Sequence, residues 1–169
     1  MQFIKRDYSE SKGYGQYILG ADIGGTNSSF GLFGAKNNKM KLLTHFHFKS
    51  EDIKKFKDAL KTLLDYIREE YKIKISKACI AAAGALSPKK DYVKITNSSF
   101  HISKKEVLKC GIKNVTLIND FEAVAYGIFM LQKNEIKTVK KGVKIAKAPI
   151  LVIGAGTGMG KALLLYDSK

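Results

Sequence analysis

The sequence predicts an α/β fold built on a mixed sheet, and three observations predict it. Apolar runs at 17–23, 28–33 and 40–48 follow one another across short turns, the pattern of an antiparallel meander. From residue 51 onward, strand-like runs alternate with stretches of helical period, as when strands are joined through helices. Hydrophobic residues make up 45% of the 169-residue chain, enough for a packed core.

Each element has its own warrant. Residues 1–16 are polar, contain Gly13 and Gly15, and are expected to form a flexible lead-in. Tyr17 to Ile23 reads as a buried strand that Gly24-Gly25-Thr26-Asn27 interrupts before the chain resumes as a strand at 28–33. Across 40–48, Leu43, His45 and His47 alternate with Leu42, Thr44, Phe46 and Phe48. Residues 51–72 then change period. Ile53, Phe56, Leu60, Leu63, Leu64, Ile67 and Tyr71 recur every three or four residues and form one helical stripe. Ser50, followed by Glu51 and Asp52, is the expected N-cap.

Further strands are predicted at 75–83, 92–96 and 115–119, with helices at 103–109 and about 120–133. Residues 134–149 are Lys-rich and aperiodic, which places a linker at 135–149 between a domain at 17–134 and the start of another at 150–169. Strands at 150–153 and 162–165 flank Gly154 to Gly160.

Composition excludes some functions. No run approaches the roughly 18 apolar residues of a membrane span, and charges occupy the place of a signal peptide's apolar stretch. A cytoplasmic protein without a membrane role is expected. The net charge of +15 is carried almost wholly by dispersed lysines, with Arg6 and Arg68 the only arginines. Base readout and bidentate phosphate gripping favour arginine, so no specific nucleic-acid partner is expected. Cys79 and Cys110 stand alone without ligand spacing, and Cys79 reads as a small buried hydrophobe.

Two turns share a design. Leu19–Phe33 and Leu151–Leu165 each run strand, Gly/Thr turn, strand. Glycine lets backbone N–H groups approach an anion, and threonine adds a hydroxyl. The second turn is no Walker loop, because Ala155 and Ala162 occupy required Gly and Ser/Thr positions. It is no dinucleotide fingerprint either, because Met159 stands where Gly is needed. What remains is a phosphate-gripping hairpin.

Asp22, just ahead of the first turn, is placed to hold Mg²⁺ near phosphates, often through water; the alternative is a carboxylate capping its own turn. Asn119-Asp120 follows an apolar strand at the end where α/β sheets bind ligands. Asn119 with Glu122 also fits a capping box. Asp120 is suited to accept a proton from an attacking hydroxyl. Asn97, in Thr96-Asn97-Ser98-Ser99, offers donors and acceptors to sugar hydroxyls or forms an ordinary polar turn.

In order and in combination, Leu19–Phe33, Cys79–Gly84, Thr96-Asn97, Leu117–Ile128 and Ile150–Gly158 resemble the bacterial-type glucokinases of the sugar kinase, actin and heat-shock ATPase superfamily. The resemblance spans about 17–167 and implies an actin-like (ribonuclease H-like) domain with a five-stranded mixed sheet flanked by helices, plus the first hairpin of a second such domain.

The resemblance implies ATP, Mg²⁺ and a sugar as ligands. Asp22, Gly24, Gly25, Thr26 and Asn27 would form the first phosphate loop. Gly154, Gly156, Thr157 and Gly158 would form the second. Asn97, Asn119 and Asp120 would bind glucose, with Asp120 as general base for the 6-hydroxyl. Gly84-Ala85-Leu86 lacks the proline that often follows this glycine in relatives. The family's Glu-Gly-Gly-His sugar-binding segment and its adenosine-binding part are absent from these residues. The expectation is therefore a fragment or half of the enzyme, self-associating or completed by a partner chain. Kinases for another hexose or an N-acetylhexosamine, and a non-catalytic sugar- or nucleotide-binding module, are the alternatives.

Overall fold

The computed structural model describes residues 2–37, 39–155 and 159–167. They divide into two compact units, residues 1–120 and 121–169. In chain order the first unit contains β1 (Ile4–Asp7), β2 (Gln16–Ile23), β3 (Asn27–Lys36), β4 (Lys39–Lys49) and α1 (Phe56–Tyr71). There follow β5 (Lys77–Ala82), β6 (Tyr92–Lys94), β7 (His101–Ser103), α2 (Lys104–Lys109) and β8 (Asn114–Asn119).

The sheet has six strands, in the order β1-β4-β3-β2-β5-β8. Neighbours among β1, β4, β3 and β2 run antiparallel, whereas β2, β5 and β8 are parallel. The meander and the mixed sheet are as expected, but the strand count of five is corrected by β1. Residues 4–7 pair with 44–47 of β4, and Phe3 stacks edge-on against Phe46 at 5.4 Å. This part of the chain is therefore tied to the sheet rather than forming a loose lead-in.

α1 buries Phe56, Leu60, Leu63, Leu64 and Ile67 of the expected stripe, and Ala59 besides; Ile53 is buried ahead of the helix and Tyr71 only partly. They join one core with Leu19, Ile23, Phe30, Leu32, Phe46, Phe48, Ile80 and Leu117 of the sheet. Burying each such side chain contributes about 1.5–3 kcal/mol. On the other face of the sheet the Phe33 ring covers the cross-strand pair Gly20 and Gly31, where added Cβ atoms would meet it at 2.9 and 2.6 Å.

Three local readings are revised. Between Leu32 and Phe33 the β3–β4 register shifts, so Leu43 is buried alongside Thr44 and leaves the His45/His47 phase. Ser50 does not cap α1: that helix starts at Phe56, its N-cap is Lys55 without a side-chain bond, and Ser50–Asp52 forms a separate 3₁₀ turn. Cys79 is half-buried rather than fully buried.

In the second unit, α3 runs Asp120–Gly127, its first residue belonging to the first unit, and a 3₁₀ turn follows at Ile128–Met130. The expected helix to 133 is thus shorter. The units divide at residue 120, ahead of the Lys-rich stretch to which the sequence assigned the linker. β9 (Ile150–Ala155) and β10 (Met159–Leu164) form an antiparallel hairpin that pairs Gly154 with Gly160. The Phe121 ring lies over this glycine pair, and a Cβ on Gly154 would meet it at 2.7 Å. Among the described residues, no helix is long and apolar enough to cross a membrane.

Candidate functional site

Parallel pairing brings three strand ends level. Ile23 of β2 aligns with Ala82 of β5, and Ala82 aligns with Asn119 of β8. The residues that follow, Gly24, Ala83-Gly84 and Asp120, therefore gather along one sheet edge, where α/β folds bind ligands. The Ala83 N–H donates to Ile23 O at 2.9 Å, and the Thr96 N–H donates to Ala83 O at 2.8 Å. Asn119 Nδ2 donates to Gly84 O at 3.2 Å.

Two glycines make this convergence possible. A Cβ on Gly25 would lie 2.5 Å from Thr96 O and 3.3 Å from Asn97 Cβ, and a Cβ on Gly84 would collide with Lys94 O. A side chain at Gly25 would push the Thr96-Asn97 turn away, and one at Gly84 would push the Lys94 backbone that leads toward it. Asn97 is exposed and adopts φ 57°, a left-handed conformation that Asn tolerates better than most residues. The first turn and the Asn97 turn are consequently in contact.

The first turn is braced from below. Its Gly24 N–H donates to Asn27 O at 2.9 Å, and the Ser50 N–H donates to Thr26 O at 2.9 Å. The Ser50 hydroxyl donates to Gly24 O at 2.7 Å and lies 2.8 Å from Ser28 Oγ. Both serines are buried. Neither was among the predicted site residues, yet strand period supplies the signal. Ser50 continues the inward phase of Phe46 and Phe48, and Ser28 that of Phe30 and Leu32.

Asp22, near the end of β2, is exposed as a residue. Its carboxyl is held above the ordinary Asp range, first by lost hydration and then by the negative charge of Asp120. Two neighbouring carboxylates beside a Gly/Thr turn form a hard-oxygen donor set suited to a hydrated Mg²⁺. Among the described residues, no three His, Cys, Asp or Glu side chains cluster as a protein-only metal cage. A metal here would rely on water and phosphate for its other ligands.

Of the predicted residues, Asp22, Gly24, Gly25, Thr26, Asn27, Asn97, Asn119 and Asp120 fall in the first unit around this edge. Gly154 lies on β9 in the second unit, while Gly156, Thr157 and Gly158 lie outside the described residues.

A family model described as glucokinase matches residues 19–169. The chain is 32% identical over 154 residues to the glucokinase of Trichormus variabilis, covering 90% of this chain and 44% of that one. It is 30% identical over 158 residues to an Escherichia coli glucokinase, covering 91% and 46%. The chain thus spans about half the length of the curated relatives it matches. Among solved structures, a glucokinase from an Antarctic psychrotroph superposes with TM-score 0.75 at 32% identity, covering 90% of this chain and 47% of that one. A Balamuthia mandrillaris glucokinase in complex with glucose gives 0.73 at 27%, covering 89% and 44%. A ROK family glucokinase from Streptomyces griseus in complex with glucose and AMPPNP gives 0.58 at 19% over 88% of this chain and 44% of that one, a likeness of fold alone.

Proposed function

This chain belongs to the glucokinase family, and on that premise we propose that it carries the sugar-binding and first phosphate-binding half of an enzyme that phosphorylates glucose at the 6-hydroxyl with ATP. The observation that carries this reading is the meeting of the Gly24–Asn27 turn, the Thr96-Asn97 turn and Asn119-Asp120 at one sheet edge. A phosphate site, a hydroxyl-binding turn and a carboxylate are what phosphoryl transfer to an alcohol requires.

Asp120 is assigned as general base and accepts the proton of the attacking hydroxyl. Asn119, steadied by its bond to Gly84 O, and Asn97 orient the sugar. Backbone N–H groups of residues 25–27 and the Thr26 hydroxyl receive phosphate oxygens. Mg²⁺ held through water by Asp22 would neutralise polyphosphate charge. Gly154, Gly156, Thr157 and Gly158 are assigned to the second phosphate turn on motif alone. Residues beyond this chain, on the same or a partner polypeptide, would complete the adenosine and sugar contacts.

The test is a coupled assay for glucose 6-phosphate, run on the chain alone and on the chain completed to family length. The completed protein should turn over with Mg-ATP, and Asp120→Ala should reduce turnover by about 10²–10⁴-fold, with a smaller loss of glucose affinity from the one contact removed. Turnover unchanged by that substitution rules out the base assignment.

A further inference from the structure

We infer that Ser50 is a positioning residue for the first phosphate turn, a role that rests on the phosphate reading of residues 24–27. Ser50 holds two carbonyls of that turn at once: its hydroxyl takes Gly24 O at 2.7 Å and its N–H takes Thr26 O at 2.9 Å. A hydroxyl has a single proton, and that of Ser50 is committed to Gly24. The 2.8 Å contact therefore has Ser28 as donor and Ser50 Oγ as acceptor. The result is a directed chain, Ser28 to Ser50 to Gly24, closed inside the core, with Ser28 0% and Ser50 2% exposed.

The consequence follows from peptide geometry. In a trans peptide the carbonyl of one residue and the N–H of the next point in opposite directions. Drawing Gly24 O toward Ser50 aims the Gly25 N–H away from it, and drawing Thr26 O inward does the same for the Asn27 N–H. The Gly25 N–H donates to no other described backbone group. Ser50 thus presets amide donors for an anion without touching the anion. That saves the entropy of ordering a glycine-rich turn at the moment of binding.

The test uses the ¹⁵N-labelled 169-residue chain titrated with Mg-ATP, read at the amide signals of Gly25 and Asn27. Wild type should respond at both. Ser50→Ala should weaken the response about tenfold, a loss of one charge-assisted arrangement, in protein whose spectrum remains folded. Ser28→Ala removes the donor to Ser50 but leaves both bonds from Ser50 to the turn, and should weaken binding by no more than about twofold.

Wild-type affinity in folded Ser50→Ala overturns the inference, as does equal weakening by both substitutions, which would reflect general loosening. If Ser50→Ala does not fold, Ser50→Cys keeps a weak donor; intermediate affinity supports the role and wild-type affinity overturns it. A wild-type chain silent at Gly25 and Asn27 overturns the phosphate reading itself, and this role with it.

Discussion

The carboxyl of Asp22 titrates in the field of Asp120, with lost hydration the larger and the neighbouring charge the smaller cause of its upward shift. An acid whose folded pKa is raised is better tolerated protonated than ionised. Asp22 therefore costs stability at neutral pH, and that cost disappears as pH falls below the ordinary Asp range. Asp22→Asn should raise Tm at pH 7 by about 1–2 °C, with the difference closing in acid. Calorimetry across pH checks this, and a Tm below wild type at pH 7 contradicts it. Mg-ATP should no longer stabilise the variant.

Gly25→Ala should be damaging for a reason unrelated to backbone freedom. The added methyl meets the Thr96 carbonyl, which is backbone and cannot swing aside. A cost of about 1–3 kcal/mol is expected, together with loss of sugar and nucleotide responses because two turns are forced apart. Chemical denaturation and ligand titration measure the two effects separately. Wild-type stability would show that the turns are not in contact.

Asn97→Gly separates fold from function. Glycine adopts the positive φ of this position freely, so Tm should stay within about 1–2 °C of wild type. Sugar affinity should fall about tenfold through the lost amide. Unchanged affinity for glucose, measured by calorimetric titration, would remove Asn97 from the site.

Asp7 ties β1 to the sheet. It accepts hydrogen bonds from Tyr71 Oη at 2.8 Å and Thr44 Oγ1 at 2.9 Å, and pairs with Lys5 Nζ at 2.9 Å. Burial pushes its carboxyl up, but the bonds from Lys5, Tyr71 and Thr44 outweigh it and leave it below the ordinary Asp range. Its contribution is therefore present at neutral pH and lost as pH falls through that lowered value. Asp7→Asn should cost about 0.5–1 kcal/mol at pH 7, the low end for a half-exposed group, and nothing in strong acid. A cost that persists in acid would contradict the ionic origin.

Local chemistry made part of this legible in the sequence. Asp22 with its Gly/Thr turn and Asn119-Asp120 after an apolar strand are read from contiguous residues, because strand ends and turns write themselves into short segments. The α1 stripe is legible for the same reason. Ser50 was misread because an N-cap and a buried brace call for the same residue type, and only pairing with β3 decides between them. β1 was missed because all four of its residues are exposed. Ile4–Asp7 carries no alternation, and its strand state comes from β4. The Leu43 bulge is tertiary as well, since its carbonyl receives the Tyr8 and Ser9 N–H groups at 2.8 and 3.3 Å.

β1 also bears on how copies of this chain behave in company. A long strand left at a sheet's margin is a template on which another molecule's strand can zip, the first step toward ordered aggregates. β4, eleven residues long, is such a strand. Four residues carrying Lys5, Arg6 and Asp7 occupy part of that margin and present charged side chains of both signs in its place. The short, polar stretch expected to be a flexible lead-in thus covers residues 44–47 of a strand that another copy could otherwise pair with.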